Sequence, residues 1–466
     1  MSQRPEPQPP PTAASGAPSF RRVLGPWSAT ALVAGSMIGT GIFLFASNVA
    51  RQCRDPWTIL LAWVLGAVVA GCGALCLAEL AAAYPKTGGI YVFLRHAYGP
   101  GVAFLYAWCK FCIMRVASFA IPALFFADFF GECFGLTAKE VAIWDVPIAL
   151  VVVNVLTVVN VLGVRAGGVV QTVFTAAKVA VLVAIVGVGV AFLCGALSPH
   201  VIAVEAPPSL PQRPWWLLLG TALVPVLWSY GGWDESPFVA EEVKNPTRNL
   251  PLSILGGLAV VAVLYVCVNA AYLGVLSPPE LAASEGKTVV LAMQRALGPW
   301  SGVPLSIALM ISTFGAANGM ALTGARIAFA AGRDQPLAGW FGAISPLTRT
   351  PVRALLVQCL LADLAIVLMP DPMTLLYFTG LAYWLFAALT GAAVFVMRWR
   401  DPQTTRPFRV WAYPLTPLLF IAAALAMAAT VVNEDPKNAK VTLYILGVGT
   451  AFYVFQRLWM RRAISR

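Results

Sequence analysis

Apolar residues run along this chain in blocks of about twenty, with neither the two-residue alternation of a surface strand nor the one-sided stripe of a soluble helix. The blocks lie near 28–49, 58–83, 100–131, 144–163, 168–195, 216–240, 251–276, 299–331, 352–369, 374–398, 411–432 and 441–459. Polar and turn-forming clusters separate them, among them "RQCRDP", "YPKTGG", "EEVKNPTRN" and "NEDPKNAK". Blocks this long predict membrane-spanning helices, because the strands of a barrel would alternate over about ten residues. The expected fold is an all-α integral membrane protein of about twelve transmembrane helices. Residues 1–24 are rich in Pro, Ala, Ser and Gln and predict a disordered tail. Residues 25–460 form one membrane domain, and 461–466 a short second tail.

Two blocks are interrupted. The first contains "GSMIGTGIF", Gly35 to Phe43. Its glycines each weaken a helix by about 1 kcal/mol relative to alanine. The sixth contains "VPVLWSYGGWDESPF", Val224 to Phe238, with Pro225, Pro237, Gly231, Gly232 and the adjacent acids Asp234 and Glu235. Glycine in a span can simply allow close helix packing. Irregular backbone at membrane depth is otherwise tolerated only where it is buried or lines a cavity. A matching pair of breaks points to a transport site between inverted repeats. Blocks one and six are five apart, which predicts five helices plus five with two more at the end. An unwound turn exposes N–H groups at the start of the following half-helix, suited to a carboxylate. It also frees carbonyls of the preceding half-helix for an ammonium. A site with both fits a zwitterionic α-amino acid.

Composition agrees with the membrane reading. The 466 residues are 59% hydrophobic and only 11% charged, against about 25% charged in soluble proteins. Mean hydropathy is +0.79. With the N-terminus inside, the alternating loops and span ends hold 19 Lys and Arg on that side against 8 on the other, which supports both termini inside; a plasma (inner) membrane is the expected location. The net charge of +11 is therefore scattered over short loops, and no nucleic-acid-binding face is expected. Nine cysteines lie mostly inside apolar blocks, as Cys72, Cys76, Cys194 and Cys267 do. The Cys109–Cys112 pair lacks further ligands, and His96 and His200 are the only histidines. No cofactor, metal site or enzymatic nucleophile is expected. Glu79 and Asp128 lie near the ends of their blocks, where solvation accounts for them.

Six stretches carry a family resemblance: "GSMIGTGIF", "YPKTGGIYVFLRHAYG", "GVRAGGVVQTVFTAAK", "WSYGGWDESPFVAEEVKNPTRNLP", "STFGAANG" and "RWRDPQTTRPFRVWAYPLTP". They fall in order along nearly the whole chain, which resembles the L-type amino acid transporters of the amino acid–polyamine–organocation superfamily. Its Ala-rich composition and short loops suggest a prokaryotic member. The resemblance implies the leucine-transporter fold, with 25–198 and 214–400 as inverted five-helix repeats and 407–460 as helices 11 and 12. It implies that the N–H groups around Thr40 and Gly41, beside Gly39, hold the substrate carboxylate. The carbonyls of Met37 and Ile38, with those of Trp228 and Gly231 beside Ser229, would hold its amino group. Trp228 stands where relatives carry an aromatic gate; its alternative is packing.

Lys178 lies about ten residues into the fifth block, roughly 15 Å deep at 1.5 Å per residue. A charge there is a functional hypothesis by default, although it can also snorkel towards headgroups. In similar transporters a lysine here replaces a bound sodium ion, and would tie the first break, near Gly39, to the scaffold. Sodium-independent transport follows. Lys110, Arg115 and Arg326 also lie within blocks. Relatives often have a basic residue followed by proline at the Arg115 position, where Val116 departs, and Arg115 receives no role. Asn318 bonds either the substrate-lining helices or one packed neighbour. Side-chain selectivity is expected in the third, eighth and tenth helices, with Ser118, Phe314 and Tyr377 as candidates.

Asp234 departs from the Asn common in L-type relatives. It has three readings: a cap on the second half of the sixth helix, a lure for a cationic side chain, or a proton site. Gly231 stands where cystine and dibasic exchangers carry Asp. Animal relatives bond a single-span glycoprotein through a cysteine near Cys133. The surrounding sequence here matches poorly, so no heavy-chain subunit is expected. The leading function is sodium-independent exchange of neutral L-amino acids across the lipid bilayer. The alternatives are a proton-coupled or cationic amino acid/polyamine antiporter and, more remotely, a channel, for which the blocks lack polar rings.

Overall fold

Proline and short acidic caps mark where many of the helices begin. Pro26, Pro56, Pro100, Pro246, Pro278 and Pro372 each occupy the first turn of a helix, where a missing N–H costs nothing. Asp55 and Asp371 accept the N–H of Thr58 and Thr374, at 2.9 and 2.8 Å, and cap their helices. The computed structural model describes residues 22, 24–86, 88–162, 164–201, 214–334, 340, 343, 345, 348 and 350–464, with backbone alone at 138, 164–177, 239, 242, 322, 326–334 and 460–464. Of the tail expected over 1–24, residues 1–21 and 23 lie outside the described residues, as do the end of the C-terminal tail and the side chain of Arg326.

The chain is helical. The first block gives α1 (Pro26–Met37), α2 (Gly41–Leu44) and α3 (Ala46–Cys53), followed by α4 (Pro56–Ala83) and α5 (Ile90–Tyr98). The third block is α6 (Pro100–Cys109), a π turn (Lys110–Met114) and α7 (Arg115–Phe134). Then come α8 (Ala138–Leu162), α9 (Val164–Leu193) and α10 (Trp215–Ser229), with a 3-10 segment Ser236–Glu242. Next are α11 (Pro246–Val275), α12 (Pro278–Ala283), α13 (Thr288–Leu297) and α14 (Gly302–Asp334). The chain ends with α15 (Val352–Leu368), α16 (Pro372–Arg400), α17 (Leu415–Glu434) and α18 (Pro436–Ile464).

Nine helical stretches among the described residues are long and apolar enough to cross a membrane. Exposed faces are apolar too: Val151, Val155, Val158 and Leu162 line one side of α8, and Leu356, Leu360, Leu364 and Val367 one side of α15. Their three- and four-residue spacing makes continuous stripes suited to lipid. Trp27, Trp57, Trp215, Trp399 and Trp459 are exposed near helix ends, the positions of an interfacial aromatic belt. The protein is a multi-pass membrane protein.

Four features were not foreseen. The short helices α5, α12 and α13 fall in segments read as loops; they are too short or too polar to register as spans. The third block, not among the two expected to be interrupted, contains the π turn. The sixth is expected to break and resume as a second half-helix to 240; α10 does end at Ser229, but only 3-10 structure follows. Gly232, at φ +110°, has left-handed backbone and ends the helical run there. Solvation does not account for Glu79. It is buried, accepts from Arg398 Nε at 2.8 Å and Nη2 at 2.6 Å, and accepts the Val410 N–H at 2.7 Å. It fastens α4 to α16 and to the segment leading into α17.

Against this frame α1 packs on α11, α4 on α11, α7 along α14 and α16 along α17. The segment before α1 also meets the one after the sixth break. Lys244 N–H donates to Leu24 O at 2.9 Å, and Leu24 and Val243 form an isolated parallel bridge.

Candidate functional site

The two breaks interlock across a cavity. In the first, Ile38 N–H still reaches Ala34 O at 2.8 Å, but Gly39 N–H turns back to Met37 O at 2.7 Å, and the helix restarts at Gly41. The N–H groups of Thr40, Gly41 and Ile42 bond no backbone carbonyl, as expected of a first helical turn. Thr40 Oγ1 is buried without a partner. A Cβ on Gly41 would lie 2.4 Å from Ser229 Oγ and 3.0 Å from Ser229 Cα. A Cβ on Gly232 would lie 2.7 Å from Ser36 O. Glycine at these two positions therefore lets each break press against the other.

The cavity is lined by Met37, Gly39, Thr40 and Gly41 from the first break and by Trp228, Ser229, Gly231, Gly232, Asp234 and Glu235 from the sixth. Lys110, Met114, Arg115 and Ser118 line it from the third block, Ala316 and Met320 from α14, and Thr379, Gly380 and Tyr383 from α16. Trp228 stands edge-on to Phe45, with ring centroids 5.4 Å apart, and Phe45 in turn meets Phe125 at 6.2 Å.

Several expected residues lie elsewhere. Ile38 is buried and absent from the lining. Lys178 is buried on α9, but its ammonium makes no hydrogen bond or ion pair with Gly39 or any other described residue. Met37 O is instead held by Tyr265, whose hydroxyl donates to it at 2.9 Å from α11. Asn318 Oδ1 accepts from Asn160 at 2.9 Å, which makes Asn318 the partner of one packed neighbour. Phe314 and Tyr377 stay outside the lining.

The capping reading of Asp234 does not hold, because the 3-10 segment after it has no side-chain cap. Asp234 Oδ2 accepts from Lys110 Nζ at 3.0 Å, and both side chains are buried. Beside them Arg115 Nη2 donates to Glu235 Oε1 at 2.6 Å. Sequence reading left both bases without a role. In a regular helix, five residues advance about 500°, so Lys110 and Arg115 would point roughly 140° apart. The π turn closes Arg115 N–H on Lys110 O and wraps those five residues into about one turn. It thereby aims both cations at the two adjacent acids of the sixth break. Only the repeat of basic residues five apart, facing two acids in a broken segment, hinted at this. The four charges sum to zero, so no net charge is left buried.

Chemically, the first break offers N–H groups without backbone acceptors, and the sixth offers two balanced ion pairs and the carbonyl of Gly231, which accepts from no described backbone N–H, whereas that of Trp228 already accepts from Tyr230 and Gly231. A sequence profile of the family described as amino acid permease matches residues 24–453. The b(0,+)-type amino acid transporter 1 of Mus musculus is 32% identical over 456 residues, covering 96% of this chain and 91% of its own. Its counterpart in Homo sapiens is 31% identical over 436 residues, covering 93% and 88%. The large neutral amino acids transporter small subunit 2 of Rattus norvegicus is 30% identical over 462 residues, covering 97% and 84%. With the match running from before α1 into α18, the chain belongs to the amino acid permease family.

Proposed function

We propose that this protein is a sodium-independent carrier that exchanges L-amino acids, chiefly neutral ones, across a plasma (inner) membrane. The observation that carries this reading is that Thr40 and Gly41, whose N–H groups bond no backbone carbonyl, line one cavity with Trp228 and Gly231. Anionic groups bind at such helix starts, and the zero-sum charge nearby favours a neutral side chain. The relatives are named amino acid transporters, one of them for large neutral amino acids, which supports an amino acid substrate.

In this reading the chain forms twelve spans with cytoplasmic termini. Residues 25–198 and 214–400 are inverted five-helix repeats, and 407–460 supply helices 11 and 12. Thr40 and Gly41 take the carboxylate; the carbonyls of Met37, Ile38, Trp228 and Gly231 take the amino group, those of Met37 and Trp228 by exchanging hydrogen bonds they accept here; and Trp228 closes over the substrate. Lys178 replaces the sodium ion. Its tie to the first break would form in a conformation other than the present one. The cationic-substrate reading of Asp234 is weakened because Lys110 already occupies that carboxylate. One relative is named a small subunit; this chain is proposed to work alone, because the sequence around Cys133 departs from the linked relatives.

The test is purified protein in liposomes loaded with one amino acid. Labelled alanine uptake should rise with internal substrate and stay unchanged when choline replaces sodium at a clamped potential. Loss of uptake without sodium, or competition by arginine and agmatine alone, would overturn the assignment. A heavier species on a non-reducing gel that Cys133→Ser removes would overturn the lone-chain reading.

A further inference from the structure

Arg115 has donors to spare. It is 3% exposed and lines the cavity that holds Thr40, Gly41 and Trp228. A guanidinium carries five N–H donors. Nη2 serves Glu235, Nη1 reaches only the Met320 thioether at 3.2 Å, and Nε is buried without a partner. Thioether sulfur is a weak acceptor, and a buried donor left unmade is costly. Across the same pair, Glu235 Oε1 accepts from Arg115, while Oε2 accepts from no described residue. The site therefore holds unused donors and an unused acceptor side by side. Lys110 and Asp234 complete the quartet one step further along.

This arrangement discriminates among side chains. An entering cation meets Lys110 and Arg115, and an entering anion meets Asp234 and Glu235. Either could reach a spare partner, Glu235 Oε2 for the cation or the Arg115 donors for the anion, but would leave a net charge in a buried, balanced quartet. An apolar side chain leaves the spare donors unmade. A neutral group that both accepts and donates disturbs neither pair and fills both vacancies, and a carboxamide is such a group. We propose that Arg115 and Glu235 form a side-chain subsite for carboxamides, selecting glutamine and asparagine. The carboxamide oxygen accepts from Arg115, and its NH2 donates to Glu235 Oε2. This rests on the amino acid reading above and names the substrate within it.

The experiment is labelled alanine uptake by the full chain in liposomes, competed by glutamine, methionine, leucine, glutamate and lysine. Methionine has a similar length to glutamine and lacks the amide. Glutamine should compete about 10-fold or more better than methionine, the size expected of hydrogen bonds to charged groups. The charged pair should compete worst. Arg115→Lys keeps a charge opposite Glu235 but removes the fork. The double variant Arg115→Met with Glu235→Gln removes both charges and leaves none unpaired. The ratio of glutamine to methionine affinity should fall in the first and approach one in the second, a change that mere loss of stability would not produce. Alanine uptake by the wild type without a preference for glutamine overturns the subsite alone, even if neither variant reaches the membrane. A ratio that survives in the double variant overturns it too. Failure to take up any amino acid overturns the transport reading and the subsite together.

Discussion

The first and sixth breaks do related jobs with different materials. Between Ile38 and Gly41 there is no charge at all; what the first break offers is backbone, namely N–H groups left over by the turn. Between Tyr230 and Glu235 the backbone turns as well, but two carboxylates come with it, each answered by a cation from the third block. A backbone site needs glycine so that another chain segment can approach. A charged site needs partners so that desolvation does not destroy it. The first break therefore binds with its own backbone, whereas the carboxylates of the sixth are balanced only by residues more than a hundred positions away.

The largest effect should come from filling the contact between them. Gly41→Val puts a branched side chain where even a Cβ would meet Ser229 at 2.4 Å. Uptake should be lost, while insertion, measured by surface labelling, stays intact. Normal uptake would mean that the two breaks are not held together during transport.

Next in size is the charged side of the contrast. Lys110→Met leaves Asp234 buried without its cation, which should cost about 3–5 kcal/mol. Thermal unfolding in detergent should show this as a clear drop in midpoint. Adding Asp234→Asn removes the orphan and should restore most of the loss. A single variant as stable as the wild type would show that the sixth break tolerates bare charge, and the distinction between the breaks would fail.

The smallest effect tests the first break's own support. Tyr265→Phe removes the hydroxyl that holds Met37 O and should cost about 1 kcal/mol. Its expected signature is a several-fold rise in apparent KM for alanine with little change in thermal midpoint. A shift in midpoint without a change in KM would make Tyr265 a packing residue.

Much of this was legible in the residues, for physical reasons that differ by element. The long apolar helices announced themselves because lipid demands about twenty apolar residues in a row. The breaks were visible because glycine, proline and adjacent acids are expensive inside a span. The π turn at Lys110–Met114 was not visible, since no residue type forces it; it follows from the fit between α7, α14 and the sixth segment. Arg115 had no assignable role for the same reason, its partner being fixed by that turn. Tyr265 looked like any buried tyrosine until its hydroxyl was found on Met37 O. Glu79 was misjudged because position within a helix says nothing about a guanidinium arriving from Arg398.

The bridge from Leu24 to Val243 gives the contact between the breaks a mechanical meaning. The two interrupted segments are pinned at the bridge and again where Gly41 meets Ser229. Two rods pinned at two points swing as a single lever. A load applied at either break is felt by both, so the carrier has one stroke to make rather than two to synchronise.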